Sequence, residues 1–277
     1  MRKISIFLLL LLGLQIEAWA THNRAGEITF NQISLLTYRV QIVTYTKTSS
    51  PADRPMLEMN WGDGTQDSLP RISKTTVGID ISRNYYEGVH TFPGPAVYTV
   101  FFEDPNRNGG VVNIPGSVNI PFYVESQIVI NPVLGYNNSP VLLQPPIDNG
   151  AIGKIFIHNA NAYDPDGDSL SYELIKCKGI NGLDIPGYFY PAASTSFTLD
   201  AVTGDLIWNT PTIQGEFNVA FLIREWRNGV NIGYVERDMQ IDIVVTNDNP
   251  PVINALNDIC VTAGTLISQS VTATDPD

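Results

Sequence analysis

EFNVAFLIREWRNGVNIGYVERDMQIDIVV, residues 216–245, sets the fold class. Its first arm alternates Phe217, Val219, Phe221 and Ile223 with Glu216, Asn218 and Arg224. Its second arm alternates Val235, Met239, Ile241, Ile243 and Val245 with Glu236, Asp238, Gln240 and Asp242. A period of two, carried by β-branched and aromatic residues, marks strands with one face in a core. The cluster RNGVN between the arms is a turn. The stretch therefore predicts antiparallel strands over 216–225 and 234–245, with Phe217 and Ile241 buried. Arg237 falls on the apolar side of its strand and requires an acidic partner, Glu173 or Glu225.

The same pattern extends outward. LLTYRVQIVTYTK (35–47), AVYTVFFED (96–104) and NIPFYVESQIVI (119–130) read as strands, separated from the later ones by NPVLGYNNSP (131–140), a Pro/Gly/Asn-rich linker. DPDGD, DAVTGD and NTPTIQG are turn clusters, and no stretch after residue 20 has a helical period. The expected fold is all-β, with tandem immunoglobulin-like β-sandwich modules at 21–135 and 137–247.

The chain also repeats itself. NSPV at 138–141 matches NPPV at 249–252, an offset of 111 residues, and Gly153/Gly264, Ala162/Ala273 and Asp164/Asp275 keep that offset without a gap. The period is that of one immunoglobulin-like sandwich. Residues 249–277 thus read as the start of a second copy of the 137–247 module, and the chain as a fragment of a longer protein.

Arg2 and Lys3, the apolar run ISIFLLLLLGL (4–14) and Ala18-Trp19-Ala20 form a signal peptide over residues 1–20. The run is too short to span a bilayer, and no later segment is apolar enough to do so. The expected location is secreted or at the cell surface. A net charge of −12 argues against nucleic acid and anionic membranes as partners, and suits hard cations that take carboxylate oxygens. Two cysteines, Cys177 and Cys260, make no disulfide framework, and the sequence leaves their pairing open.

NWGDGTQDS (60–68) followed by VHTFPGPAVYTVFFED (89–104) resembles the polycystic-kidney-disease (PKD) type domain, through Trp61-Gly62-Asp63-Gly64-Thr65, His90, Phe92, Tyr98, Thr99 and Val100. Gly-Asp-Gly supplies backbone freedom for a tight turn, and Trp61 is expected in the core. AYDPDGDSLSYEL (162–174), FTLDAVTGDLIW (197–208) and TNDNPPV (246–252) resemble cadherin-like modules of the dystroglycan type. The order of signal peptide, THNRAGEITF, PKD-like module and cadherin-like repeat resembles gliding-motility-associated bacterial surface proteins.

Asp164, Asp166 and Asp168 stand on alternate positions of one loop, where three carboxylates can converge on Ca²⁺. An EF-hand is excluded, since Ser169 stands where its glycine belongs and Ile175 where its glutamate belongs. The cadherin resemblance implies that Asp164 and Asp166 face Asn137 and Asn138. It likewise implies that Asp275 and Asp277 face Asn247, Asp248 and Asn249, with Ca²⁺ stiffening each joint. The segment that supplies a glutamate in cadherins is replaced by WNTPT (208–212), and Val245 stands where a linker acid is expected, so a full three-ion joint is not expected. The competing reading of DPDGD is a β-turn held by Asx hydrogen bonds, without metal.

No His-x-x-x-His pair joins His22, His90 and His158, and no Gly-x-Ser-x-Gly elbow occurs. Asn137-Asn138-Ser139 fits a glycosylation sequon, but Pro140 follows it. No catalytic residues are expected. The leading expectation is a non-enzymatic extracellular surface protein with a structural or adhesive role, whose partners are surface proteins or polysaccharide. The alternative is a carbohydrate-binding or accessory region of a secreted enzyme, motivated by Tyr85-Tyr86 and GYFYP (187–191), whose rings would stack on sugars.

Overall fold

The computed structural model describes residues 23–249 and 251–277. The expected signal peptide and His22 lie outside the described residues. The fold is all-β with antiparallel sheets. Seven strands build the first half: β1 (Asn23–Gln32), β2 (Thr37–Lys47), β3 (Met56–Asn60), β4 (Gln66–Gly78), β5 (Ile81–Thr91), β6 (Val97–Asp104) and β7 (Phe122–Val129). Nine follow: β8 (Val141–Leu142), β9 (Ile147–Ala151), β10 (Phe156–Asn159), β11 (Ala162–Tyr163), β12 (Ser169–Ile175), β13 (Ala193–Leu199), β14 (Asp205–Pro211), β15 (Gly215–Arg227) and β16 (Val230–Val244).

β15 and β16 form the hairpin that their alternation demands, in a register that sets Phe217 opposite Ile241, both fully buried. Along its other edge β16 is shared by three partners in turn. Gly233–Val235 pair with β7, Arg237 and Asp238 with β1, and Gln240–Val244 run parallel to β9. One sheet therefore runs β1-β2-β5-β4-β3-β6-β7-β16-β15-β12, and the β1–β16 pairing joins its first strand back to β16.

The two halves keep separate apolar cores. The first gathers Ile28, Phe30, Val40, Trp61, Tyr86, Phe102 and Phe122; the second gathers Trp208, Phe217, Phe221, Ile223, Met239 and Ile241. On both sides of the linker at 131–140 the chain belongs to one compact unit that ends at Val244. The polar face of β16, expected at a half-buried strand's open side, is itself covered. Glu236, Asp238 and Gln240 are all fully buried, as is Asn218 of β15.

Charges buried in this seam are paired, as burial requires. Arg107 meets Asp238 at 2.6 Å, both fully buried. Arg24 meets Glu216 at 2.8 Å and Asp242 at 3.0 Å. Lys178 bridges Glu125 at 2.7 Å and Glu236 at 2.8 Å. Asn218 Nδ2 donates to Asp238 Oδ1 at 2.8 Å and to the Arg24 carbonyl at 2.7 Å. Arg237 finds an acid, but neither of those expected: Glu27 on β1 takes it at 2.6 Å, while Glu173 pairs with Arg224 at 2.6 Å.

The Gly-Asp-Gly turn is built as its residues dictate. Asp63 Oδ1 accepts from Thr65 N at 2.9 Å, and Asp63 Oδ2 meets His90 Nε2 at 2.7 Å. His90 stacks on the buried Trp61 ring with centroids 4.5 Å apart. A Cβ on Gly62 would lie 2.3 Å from the Thr99 carbonyl oxygen, so only glycine fits there. Cys177 (buried) and Cys260 (exposed) are both free thiols.

Residues 245–277 form a second unit. In it β17 (Val252–Ile253) pairs antiparallel with β18 (Ala273–Thr274). Every residue from 251 to 277 is exposed, including Leu266 and Ile267.

Candidate functional site

The acidic turn lies between β11 and β12. Pro165 fixes one φ, and Gly167 takes a positive φ of 84°, which bends the chain back on itself. Asp164 Oδ1 accepts from the backbone N–H groups of Asp166 at 2.8 Å and Asp168 at 3.1 Å. This is the Asx-type turn that such a sequence favours. The three carboxylates offer oxygens that all lie within 4.8 Å of one another.

The linker reaches the turn through N–H groups. Asn138 donates its backbone N–H to Asp166 Oδ2 at 2.6 Å and its amide to Asp166 Oδ1 at 3.0 Å. Its own Oδ1 points away and accepts from Gln32 N at 3.0 Å. Asn137 does not face the aspartates. Its Nδ2 donates to Glu225 Oε2 at 2.7 Å, and its Oδ1 accepts from Arg227 at 3.0 Å.

Two residues that the sequence reading did not place here complete the site. Arg227, at the end of β15, binds both oxygens of Asp168, with Nε at 2.8 Å from Oδ1 and Nη2 against Oδ2. It also donates to the carbonyls of Leu134 at 2.8 Å and Tyr136 at 2.7 Å, tying linker to turn. Glu225 is fully buried, and its Oε1 has no hydrogen-bond partner among the described residues. Burial pushes its carboxyl up to about 8; the Asn137 donor opposes this, and the charges of Asp164, Asp168 and Asp166 add to it. A register shift between Glu225 and Trp226 breaks the alternation there, so the sequence period gives no signal for either residue's role.

Most of these oxygens already have donors: Asp164 Oδ1 takes two backbone N–H groups, Asp166 takes Asn138, and Asp168 takes Arg227. Two oxygens each about 2.4 Å from Ca²⁺ stand no more than about 4.8 Å apart, which matches the spacing of the three carboxylates. Asp164 Oδ2 is buried with no donor, and burial pushes that carboxyl above the usual range against the pull of its N–H partners. Arg227 already supplies positive charge at Asp168, so a cation there would compete with it.

The second copy of the motif has the same local geometry. Tyr163 opposes Val141 and Ala162 opposes Leu142; 111 residues later Thr274 opposes Val252 and Ala273 opposes Ile253. Asn249 donates through its backbone and through Nδ2, at 2.6 Å, to Asp277, as Asn138 does to Asp166. Asp277 N donates to Asp275 Oδ1 at 3.2 Å, as Asp166 N does to Asp164. Of the neighbouring linker residues, Asp248 turns back on Thr246 at 3.0 Å, and the Asn247 carbonyl accepts from Asn249 at 3.4 Å.

The aromatic pairs divide. Tyr86 is buried in the first core, its OH donating to the Arg54 carbonyl at 2.7 Å, whereas Tyr85 lies on the opposite face of β5. In GYFYP, Tyr188 packs edge-on to Tyr190 with centroids 5.6 Å apart, and Phe189 and Tyr190 are exposed. No family model, curated relative or solved structure matches the chain.

Proposed function

We propose that the chain is a non-enzymatic, extracellular, multi-module surface protein with a structural or adhesive role, of the kind its resemblance to gliding-motility-associated surface proteins implies. One observation carries this reading: a single joint, strand pair plus Asn–Asp clamp, recurs 111 residues apart with the same register and donors. Reiterating a joint along a chain builds length and stiffness, and asks for no reacting group.

Ca²⁺ is the cofactor we assign to the joint, as one ion on Asp164, Asp166 and Asp168. It would offset the burial that holds the Asp164 carboxyl above its usual range, and so lock linker to turn. Binding would stabilise by about 1.4 kcal/mol at ten times Kd. The test is calorimetric melting of residues 21–277 in millimolar Ca²⁺ against chelator, with the native chain and with Asp164→Asn/Asp166→Asn. A rise in Tm confined to the native chain supports the assignment. Equal Tm values in Ca²⁺ and chelator would leave DPDGD as a turn, and a shift surviving in the double variant would place the ion elsewhere.

A further inference from the structure

The outer face of β1, β2 and β5 does not lie open. The segment after the linker, Ser139–Pro145, runs over it and leaves a cleft of about 800 Å³ that narrows into an adjoining pocket of about 200 Å³; the two share Glu27, Val43, Arg83 and Leu142. The register places the floor residues side by side: Thr29 opposes Gln41, Val43 opposes both Glu27 and Tyr85, and Tyr45 opposes Arg83. Thr29 and Gln41 are in contact, with oxygens 3.3 Å apart, and the Tyr85 OH is fixed by Glu87 at 2.6 Å. The floor is thus a row of planar amide, hydroxyl, phenol and guanidinium groups. The wide end is walled by apolar Val77, Ile79 and Leu143.

Arg83 is the cation on this floor. It is exposed and makes no ion pair among the described residues, so its guanidinium is open to a ligand from solvent. The acids of the cleft each meet an arginine, Glu27 with Arg237 at 2.6 Å and Asp242 Oδ2 with Arg24 at 3.0 Å, while Asp242 Oδ1 is buried out of reach of solvent. A guanidinium left free beside amides and tyrosines suits a carboxylate carried on a hydroxyl-rich ligand.

We propose that this cleft binds a polysaccharide segment bearing a uronate carboxylate, with Arg83 on the carboxylate, Gln41 and Thr29 on hydroxyls, and Tyr85 against a sugar ring. An extended peptide is the poorer occupant. The backbone groups of β2 are already taken by β1 on one side and β5 on the other, so a peptide finds no ladder across the floor. The inference rests on the adhesive side of the function proposed above and names its partner. Its test does not involve Ca²⁺, so either can fail alone.

Affinity electrophoresis of residues 21–277 in gels containing polygalacturonate, alginate or neutral dextran tests it. The uronate polymers should retard the native chain and dextran should not. Arg83→Ala and Gln41→Ala should each weaken retardation at least fivefold at unchanged Tm. Lys176→Ala, which removes an exposed charge paired with Asp184, should leave it unchanged. Because chain and polymer are both acidic, adsorption by net charge is not expected, and the dextran arm separates carboxylate recognition from general retardation. Hydrogen exchange of the native chain with polygalacturonate should slow at 41–45 and 83–85, a readout that needs no variant. Absence of retardation, equal retardation by dextran, insensitivity to Arg83→Ala, or protection elsewhere would each overturn the proposal.

Discussion

Arg107 and Asp238 lie 2.6 Å apart with neither side chain reaching solvent. Removing one partner leaves the other charge buried in a medium that solvates it poorly. Arg107→Met is therefore expected to cost roughly 3–5 kcal/mol in urea unfolding. Glu236 makes a second residue-scale prediction. Burial pushes its carboxyl up to about 8; Lys178 opposes this, and the charges of Glu125 and Asp238 add to it. A carboxyl whose folded pKa exceeds its unfolded value stabilises most below the unfolded pKa, and loses that contribution as pH rises through the folded pKa. Tm should thus fall from about pH 5 to about pH 9, and Glu236→Gln should flatten the slope. At the acidic turn, Arg227 competes with a cation for the same carboxylates. Arg227→Gln should tighten Ca²⁺ binding severalfold in a calorimetric titration even as it lowers the Tm of the metal-free chain. These residue roles were only partly legible in the sequence. Three aspartates at alternate positions announced themselves. That Asn138 would meet them with N–H donors and not with oxygen was not legible, since an amide's orientation depends on what else it bonds. Arg237's need for an acid was legible too, but Glu27 stands 210 residues away and is brought to it only by the pairing of β1 with β16.

At the scale of the element, β16 holds the molecule together, because one strand edge serves β7, β1 and β9 in succession. Alternation along β16 told that one face is apolar and the other polar. It did not tell that the polar face is covered, because a row of Glu, Asp and Gln looks the same facing water or facing Lys178, Arg107 and Arg24. Gly233 of β16 pairs with Ile128 of β7. Its φ is 154°, and a Cβ there would lie 2.6 Å from the Gln127 carbonyl oxygen. Gly233→Ala should push the strands apart, and faster amide exchange at Gln127 and Ile128 should report it, with little change in the β3–β4 pairing. The acidic turn behaves as a local device by contrast. Its Asx bonds need only residues 164–168, which is why five letters sufficed to foresee it.

For the molecule as a whole, the sequence divides the chain at a Pro/Gly/Asn-rich linker, whereas the structure joins both sides of that linker through one sheet and a seam of paired charges. Linker composition reports local backbone freedom. It does not report the long-range pairing of β7 and β1 with β16 that overrides that freedom. The halves already share one sheet and a seam of paired charges, so Ca²⁺ is expected to raise stability without changing the angle between them. Differential scanning calorimetry of residues 21–277 in chelator tests this most directly. One transition is expected for residues 23–244, with calorimetric and van't Hoff enthalpies in agreement, and fast-exchanging amides over 251–277. Two resolved transitions, one for each apolar core, would contradict it.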